Sequence, residues 1–323
     1  MSRATRFDVT SLGEAMLRLS VPSGQRLHAI GLLQAHIGGA ESNVLIALAA
    51  LGRQTAWHSQ VPDSLLGRMV LRRLRAAGVD TGGVALEADG RLGIYFYEPA
   101  AGPLPGEVIY DRADSSFTRI RAEQVDWDAL LDTRIVHLTG VTPALGDASR
   151  RLFEELFDRA RASGVPISLD VNYRSKLWDA DEANALLRRI LPSVDLLICG
   201  TADARRVFGL QGDGVDLLEQ LAELNGGRDT VLTCGAEGAM ALTGGVFHSV
   251  ESVSTGIVDR LGTGDAFAAG VIDGWLDSDL ATGLRRGAVL AAVKLDMHGD
   301  SVEVTRGRLE MLVERKIGSG ILR

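Results

Sequence analysis

The chain has 323 residues, 46% of them hydrophobic, 24% charged and 5% aromatic, enough to bury one large α/β core or two modest ones. A formal charge of −8 argues against electrostatic binding to nucleic acid or an anionic membrane, and no apolar run approaches the ~20 residues that span a bilayer. Two cysteines, Cys199 and Cys234, exclude a four-thiolate zinc site and make a disulfide framework unexpected. The polar start, Met1 to Asp8, has no apolar run of signal-peptide type, so a soluble cytoplasmic protein is the expectation.

Short β-like runs alternate with longer helical patterns. Strands are expected at Phe7–Leu12, Thr55–Gln60, Arg134–Thr139, Pro166–Val171, Val194–Cys199 and Thr230–Cys234. Helices are expected at Glu41–Leu51, Ser64–Ala77, Asp147–Ser163, Asp181–Leu191 and Asp265–Leu276. Near-continuous apolar strands between helices predict a parallel sheet covered on both faces. No repeat, low-complexity tract or long linker divides the chain, so residues 1–323 read as a single domain.

One region breaks the rhythm. Arg91–Glu98 and Glu107–Arg112 read as two strands around a Pro/Gly-rich turn, Pro99 to Gly106. Alternation puts Leu92, Ile94 and Phe96 on one face and Gly93, Tyr95 and Tyr97 on the other; Val108, Tyr110 and Arg112 fall together. Either this is a surface hairpin with amphipathic aromatics, or it is a lid over a site in the main sheet. Its remaining edge is suited to pairing with another subunit, so a homodimer through the lid is an expectation.

Four segments have the composition of a site. The strongest is Asp259-Arg260-Leu261-Gly262-Thr263-Gly264-Asp265, which opens a helix. Glycines before a helix turn the backbone tightly, and the free amides of the helix start favour phosphate oxygens. Asp265 is then either an N-cap or the base that takes a proton from an attacking hydroxyl. The second segment, Gly38-Gly39-Ala40-Glu41-Ser42-Asn43, is either a plain glycine turn or a place where a ligand approaches the backbone beside Asn43. In the third, Asp170-Val171-Asn172-Tyr173-Arg174, alternation puts Asp170, Asn172 and Arg174 on one side if the chain stays extended. The fourth, Thr233-Cys234-Gly235-Ala236-Glu237-Gly238, suits a nucleotide lying against backbone and suits a hairpin turn equally. Lysine is scarce, only Lys176, Lys294 and Lys316, and none follows a glycine, so there is no Walker A loop. Gly-x-Ser-x-Gly, His-Glu-x-x-His, Gly-x-Gly-x-x-Gly and the protein-kinase motifs are also missing.

In this order, from about Asp8 to beyond Asp300, the four segments resemble the ribokinase-like carbohydrate kinase family. Gly13-Glu14-Ala15-Met16, Ala291-Ala292-Val293-Lys294 and Gly299-Asp300 add to the likeness. They point toward the subgroup that phosphorylates the sugar acid 2-keto-3-deoxygluconate. The resemblance implies a three-layer α/β sandwich with a mostly parallel central sheet and a small β lid, its strands within roughly residues 13–37 and 91–119. It implies ATP and Mg²⁺ as cofactors, transfer of the γ-phosphate to a sugar hydroxyl, and a homo-oligomer. Asp265 would be the general base, with Gly262, Thr263 and Gly264 forming the anion hole. Gly39, Asn43, Tyr95, Tyr110, Arg112, Asn172 and Arg174 would surround the sugar acid, and Thr233, Gly235 and Gly238 the nucleotide. Asp203, in Gly200-Thr201-Ala202-Asp203, stands where the family has the Glu of Asn-x-x-Glu near Mg²⁺. A monovalent cation such as K⁺ is implied near Asp259, next to Arg260. A fructokinase, ribokinase or nucleoside kinase of the same fold is the nearest alternative, and a non-catalytic nucleotide or sugar sensor the alternative from another class.

Overall fold

The computed structural model describes residues 5–29, 31–100 and 104–315, so part of the Pro99 to Gly106 turn and Lys316 lie outside the described residues. The chain opens with β1 (Phe7–Leu12), β2 (Met16–Ser20) and β3 (Gln34–Gly38), followed by α1 (Ala40–Ala50), β4 (Thr55–Pro62) and α2 (Leu65–Ala76). Next come β5 (Val84–Glu87), β6 (Ile94–Glu98), β7 (Glu107–Asp111), α3 (Trp127–Leu131), β8 (Thr133–Thr139), α4 (Asp147–Ala162) and β9 (Ile167–Asp170). The second half runs α5 (Ala180–Ile190), β10 (Leu196–Gly200), α6 (Thr201–Phe208), α7 (Gly214–Leu224), β11 (Asp229–Thr233), β12 (Ala239–Thr243) and β13 (Val246–Val250). It ends with α8 (Thr263–Leu276), α9 (Leu280–Leu295) and α10 (Arg306–Arg315).

The main sheet has nine strands in the order β13-β12-β11-β10-β9-β8-β1-β4-β5. Pairing is parallel from β11 to β5, and β12 and β13 add an antiparallel edge. Side chains of one strand alternate between faces. Val9, Ile135, Leu196, Ile198 and Val231 pack with α1, α2, α8 and α9 on one side. Leu12, Val136, Leu138, Leu197, Cys199 and Leu232 pack with α4 to α7 on the other. Each leucine- or isoleucine-sized side chain so buried contributes about 1.5–3 kcal/mol. This is the three-layer sandwich expected from the sequence.

The lid is a separate four-stranded sheet, β3-β2-β6-β7. The hairpin read from the sequence is half of it; β2 pairs β6 in parallel and β3 antiparallel. Tyr95 and Tyr97 face inward and are buried, whereas Ile109 stands exposed on the opposite face. The aromatic face is therefore an inner wall, not a surface. Lys176 Nζ, from the loop after β9, donates to the Val108 carbonyl at 2.7 Å and pins β7 to the main body. No helix among the described residues is long and apolar enough to cross a membrane.

Candidate active site

Loops at the carboxyl ends of β1, β9, β10 and β11 meet the start of α8 beneath the lid, where open parallel sheets place ligands. Two chambers result, sharing Val108, Tyr110, Arg174, Leu261, Gly262 and Asp265. Asp265 stands where they join.

The first turn of α8 is shaped by close packing. Gly262 has φ 78° and precedes the helix. A Cβ there would lie 1.7 Å from the Asp300 carbonyl oxygen, so any other residue would push the turn off its support. The amides of Gly264 and Asp265 donate to no acceptor among the described residues, and space beside Gly264 is open. Free amides on the positive end of the helix dipole form an anion cradle.

Asp265 is buried, and its Oδ2 accepts from Asn43 Nδ2 at 2.7 Å. Burial pushes its carboxyl up to about 7, opposed by the Asn43 hydrogen bond and by Arg174, and assisted by Asp300 and Glu41. A carboxyl poised near neutrality, touching only a neutral amide, suits proton transfer. Asn43 reaches it from α1, whose start also holds Glu41. That carboxyl is buried, accepts from Thr139 and Thr142 at 2.6 and 2.7 Å, and is raised by burial.

Gly39, Asn43, Tyr95, Tyr110, Arg112 and Arg174 line the first chamber, together with Glu14, Gly38 and Asp300. The room at the double glycine is taken by the protein itself. A Cβ on Gly39 would lie 2.2 Å from the Glu14 carbonyl oxygen, and one on Gly38 would meet Asp300 and Tyr95. Arg112 Nε donates to Glu14 Oε2 at 3.0 Å, its Nη2 also pairs with that oxygen, and Ser115 donates to Glu14 Oε1. Tyr95 donates to Asp300, and burial raises its hydroxyl well above the ordinary value. Arg174 is exposed and makes no ion pair among the described residues.

Thr263, Gly264, Asn172, Asp203 and Thr233 line the second chamber, together with Asp170, Gly200 and Arg260. The extended path expected through Asp170, Asn172 and Arg174 does not persist. β9 stops at Asp170 and Asn172 turns to φ 39°, a left-handed conformation that Asn tolerates. Its amide and Nδ2 donate back to the two Asp170 oxygens, at 3.2 and 3.3 Å. A turn, not alternation, brings the three residues to one chamber. Burial, with Asp265 and Asp203 nearby, pushes Asp170 up to about 7. Asp203 accepts from the Tyr173 amide at 3.1 Å and is likewise raised by burial.

Three expected residues line neither chamber. Gly235 and Gly238 form the turn between β11 and β12, where Cys234 donates to the Gly238 carbonyl at 2.8 Å. Asp259 is buried behind the glycine turn. Sequence reasoning named no site role for Glu14, Asp170 or Asp300. Asp170 was visible beside Asn172; Glu14 and Asp300 act on residues 98 and 205 positions away, which no local pattern reveals.

The profile of the pfkB family carbohydrate kinases matches residues 6–305. A 2-dehydro-3-deoxygalactonokinase from Haloferax volcanii is 37% identical over 95% of this chain and 96% of its own length. A 2-dehydro-3-deoxygluconokinase from Thermoproteus tenax is 28% identical over 91% of this chain and 90% of its own. The crystal structure of a 2-dehydro-3-deoxygluconokinase from Thermotoga maritima superposes with a TM-score of 0.88 at 30% identity, covering 97% of this chain and 100% of that one.

Proposed function

Because the chain belongs to the pfkB family of carbohydrate kinases, we propose that it moves the γ-phosphoryl group of ATP to the 6-hydroxyl of 2-keto-3-deoxygluconate or its galactonate epimer. The observation that carries this reading is Asp265. It is a buried carboxyl near neutrality, at the junction of two chambers, with no cation in contact and with unpaired amides beside it among the described residues.

The sugar acid fills the first chamber and ATP reaches in through the second, near Thr233. Asp265 takes the proton of the attacking hydroxyl as that oxygen bonds to phosphorus, and the bond to the ADP oxygen breaks. The Gly264 and Asp265 amides meet the charge on the transferring group, the arrangement that stabilises phosphoryl transfer most. Asp170 and Asp203 are raised carboxyls without a cation in contact among the described residues, an oxygen set suited to Mg²⁺. When bound there, Mg²⁺ would neutralise phosphate charge. The lid strands β6 and β7 shut water out of the first chamber. We place the enzyme in the cytoplasm, where ATP is at hand.

Arginines supply the cationic side chains of the first chamber, and a guanidinium grips a carboxylate through two parallel hydrogen bonds. Glu14 already orients Arg112, leaving its Nη1 edge for the substrate, while Arg174 is unpaired among the described residues. The Glu14–Arg112 pair also favours a second reading, a neutral-sugar kinase, because it cancels charge in the chamber. ADP release across a substrate panel separates the two. The sugar-acid reading predicts kcat/KM at least about a hundredfold above fructose and ribose. Arg112→Ala should then raise KM for the acid and spare slow turnover of neutral sugars. Equal efficiency on fructose or ribose would overturn it, and no ADP release with any sugar would favour a sensor.

A further inference from the structure

The family resemblance brings with it a monovalent cation near Asp259, and the oxygens there test that demand. They are already engaged. Asp259 Oδ2 receives Arg18 Nη2 at 2.7 Å and the Gly299 amide at 3.1 Å, and Oδ1 receives the Leu261 amide at 3.1 Å. The Asp259 carbonyl oxygen accepts from Lys294 Nζ at 3.3 Å, which also donates to the Met297 carbonyl at 3.0 Å. Arg18 turns its other arm to Asp300, Nη1 to Oδ1 at 2.7 Å. Both cations are buried, Lys294 at 0% and Arg18 at 2% exposure.

An ammonium is not buried in a protein without compensation, because its desolvation costs several kcal/mol or more. Here the compensation is two carbonyl oxygens with two carboxylates close by, the oxygen set that otherwise holds a hard metal ion. Ammonium and K⁺ are also close in size. The residues present therefore do not fit an added cation, since Nζ and the guanidinium take its oxygens. We propose that Lys294, with Arg18 beside it, is a covalently tethered substitute for the monovalent cation, and that this kinase needs no K⁺. Lys294 is a positioning residue. It ties the carbonyl at the start of the glycine turn to the loop ending at Asp300, on whose carbonyl Gly262 rests. The anion-hole amides of α8 inherit their position from that tie.

The test uses the full chain, with tetramethylammonium chloride replaced by KCl at constant ionic strength. For wild type, kcat should change by less than about threefold, and the melting temperature should be the same in both salts. A larger activation, or a K⁺-specific rise in melting temperature, overturns the proposal. Lys294→Ala, which vacates the space that Nζ fills, should lose about tenfold or more in kcat without K⁺, and regain most of it with K⁺ or methylammonium. A folded Lys294→Ala that is fully active without K⁺, or inactive with and without it, also overturns the proposal. Should that variant fail to fold, the wild-type comparison decides alone. The inference rests on the kinase reading but not on the sugar. If no sugar acid is turned over, the substrate assignment has failed, and the melting comparison still decides the cation question.

Discussion

Helix α8 carries two buried aspartates, and the protein treats them in opposite ways. Asp273 meets three arginines: Arg53 Nε at 2.7 Å, Arg286 Nη1 at 2.8 Å and Arg306 Nη2 at 2.6 Å. They come from the loop after α1, from α9 and from α10, so one carboxylate pins three elements to α8. Asp265 receives one neutral hydrogen bond, and burial holds its carboxyl near 7. Same residue type and same helix, but one charge is neutralised by three arginines and the other is buried with no cation in contact among the described residues, at a cost in stability. A buried carboxyl with no cation in contact is the better marker of chemistry.

The contrast breaks most visibly at Asp273. Asp273→Ala removes the fully buried carboxylate that Arg53, Arg286 and Arg306 share, leaving them only Asp277 and Glu310 nearer the surface, and should cost on the order of 3 kcal/mol, read from denaturant unfolding. Turnover per folded molecule should stay near wild type. A loss below about 1 kcal/mol would mean that the three arginines find water instead.

Asp265 should do the reverse. Its folded carboxyl is raised above the unfolded value, so wild type is relieved of the burden at low pH and loses stability as pH climbs from about 4 through about 7. Asp265→Asn has no charge to bury and should be the more stable protein above pH 7, by on the order of 2–4 kcal/mol. The two melting curves should converge toward pH 4. An Asn variant that melts at or below the wild-type temperature at pH 8 would contradict the assignment of a desolvated carboxyl.

Arg174 sharpens the contrast on a smaller scale. It lowers both Asp265 and Asp170 through space. Arg174→Ala removes that help to the carboxylates, so the acid limb of kcat/KM should move to higher pH. An unmoved limb would place Arg174 outside the field of the base. The smallest expected signal is in the lid, where sugar binding should slow hydrogen exchange across β6 and β7. Unchanged exchange there would count against a closing lid.

Much of this was legible in the sequence because period and punctuation are local. The strands around Val9, Val136 and Ile198 show as apolar runs, and α4 and α5 as amphipathic stripes. Helix α9 did not show, because it is buried on most sides, against α8 above all. The β12–β13 hairpin was missed because its exposed edge lacks an apolar run; Val246 and Phe247 face solvent. Within the site, Asp265 and Asn43 announced themselves through glycine turns at helix starts. Arg112 was legible as a cation but its partner was not. Glu14 lies 98 residues earlier, and only the fold brings it to Arg112. Asp259 was named as a cation ligand on the resemblance alone, and nothing near it in sequence reveals its ion pair with Arg18.

The most direct test of the central claim is ADP release from 2-keto-3-deoxygluconate by wild type and Asp265→Asn, followed from pH 5 to 9. Wild-type kcat/KM should rise with pH to a plateau through an apparent pKa near 7. The Asn variant, folded and still binding ATP, should fall by about 10²–10⁴-fold and lose that limb. A folded Asn variant with near-normal turnover and the same limb would show that the proton goes elsewhere.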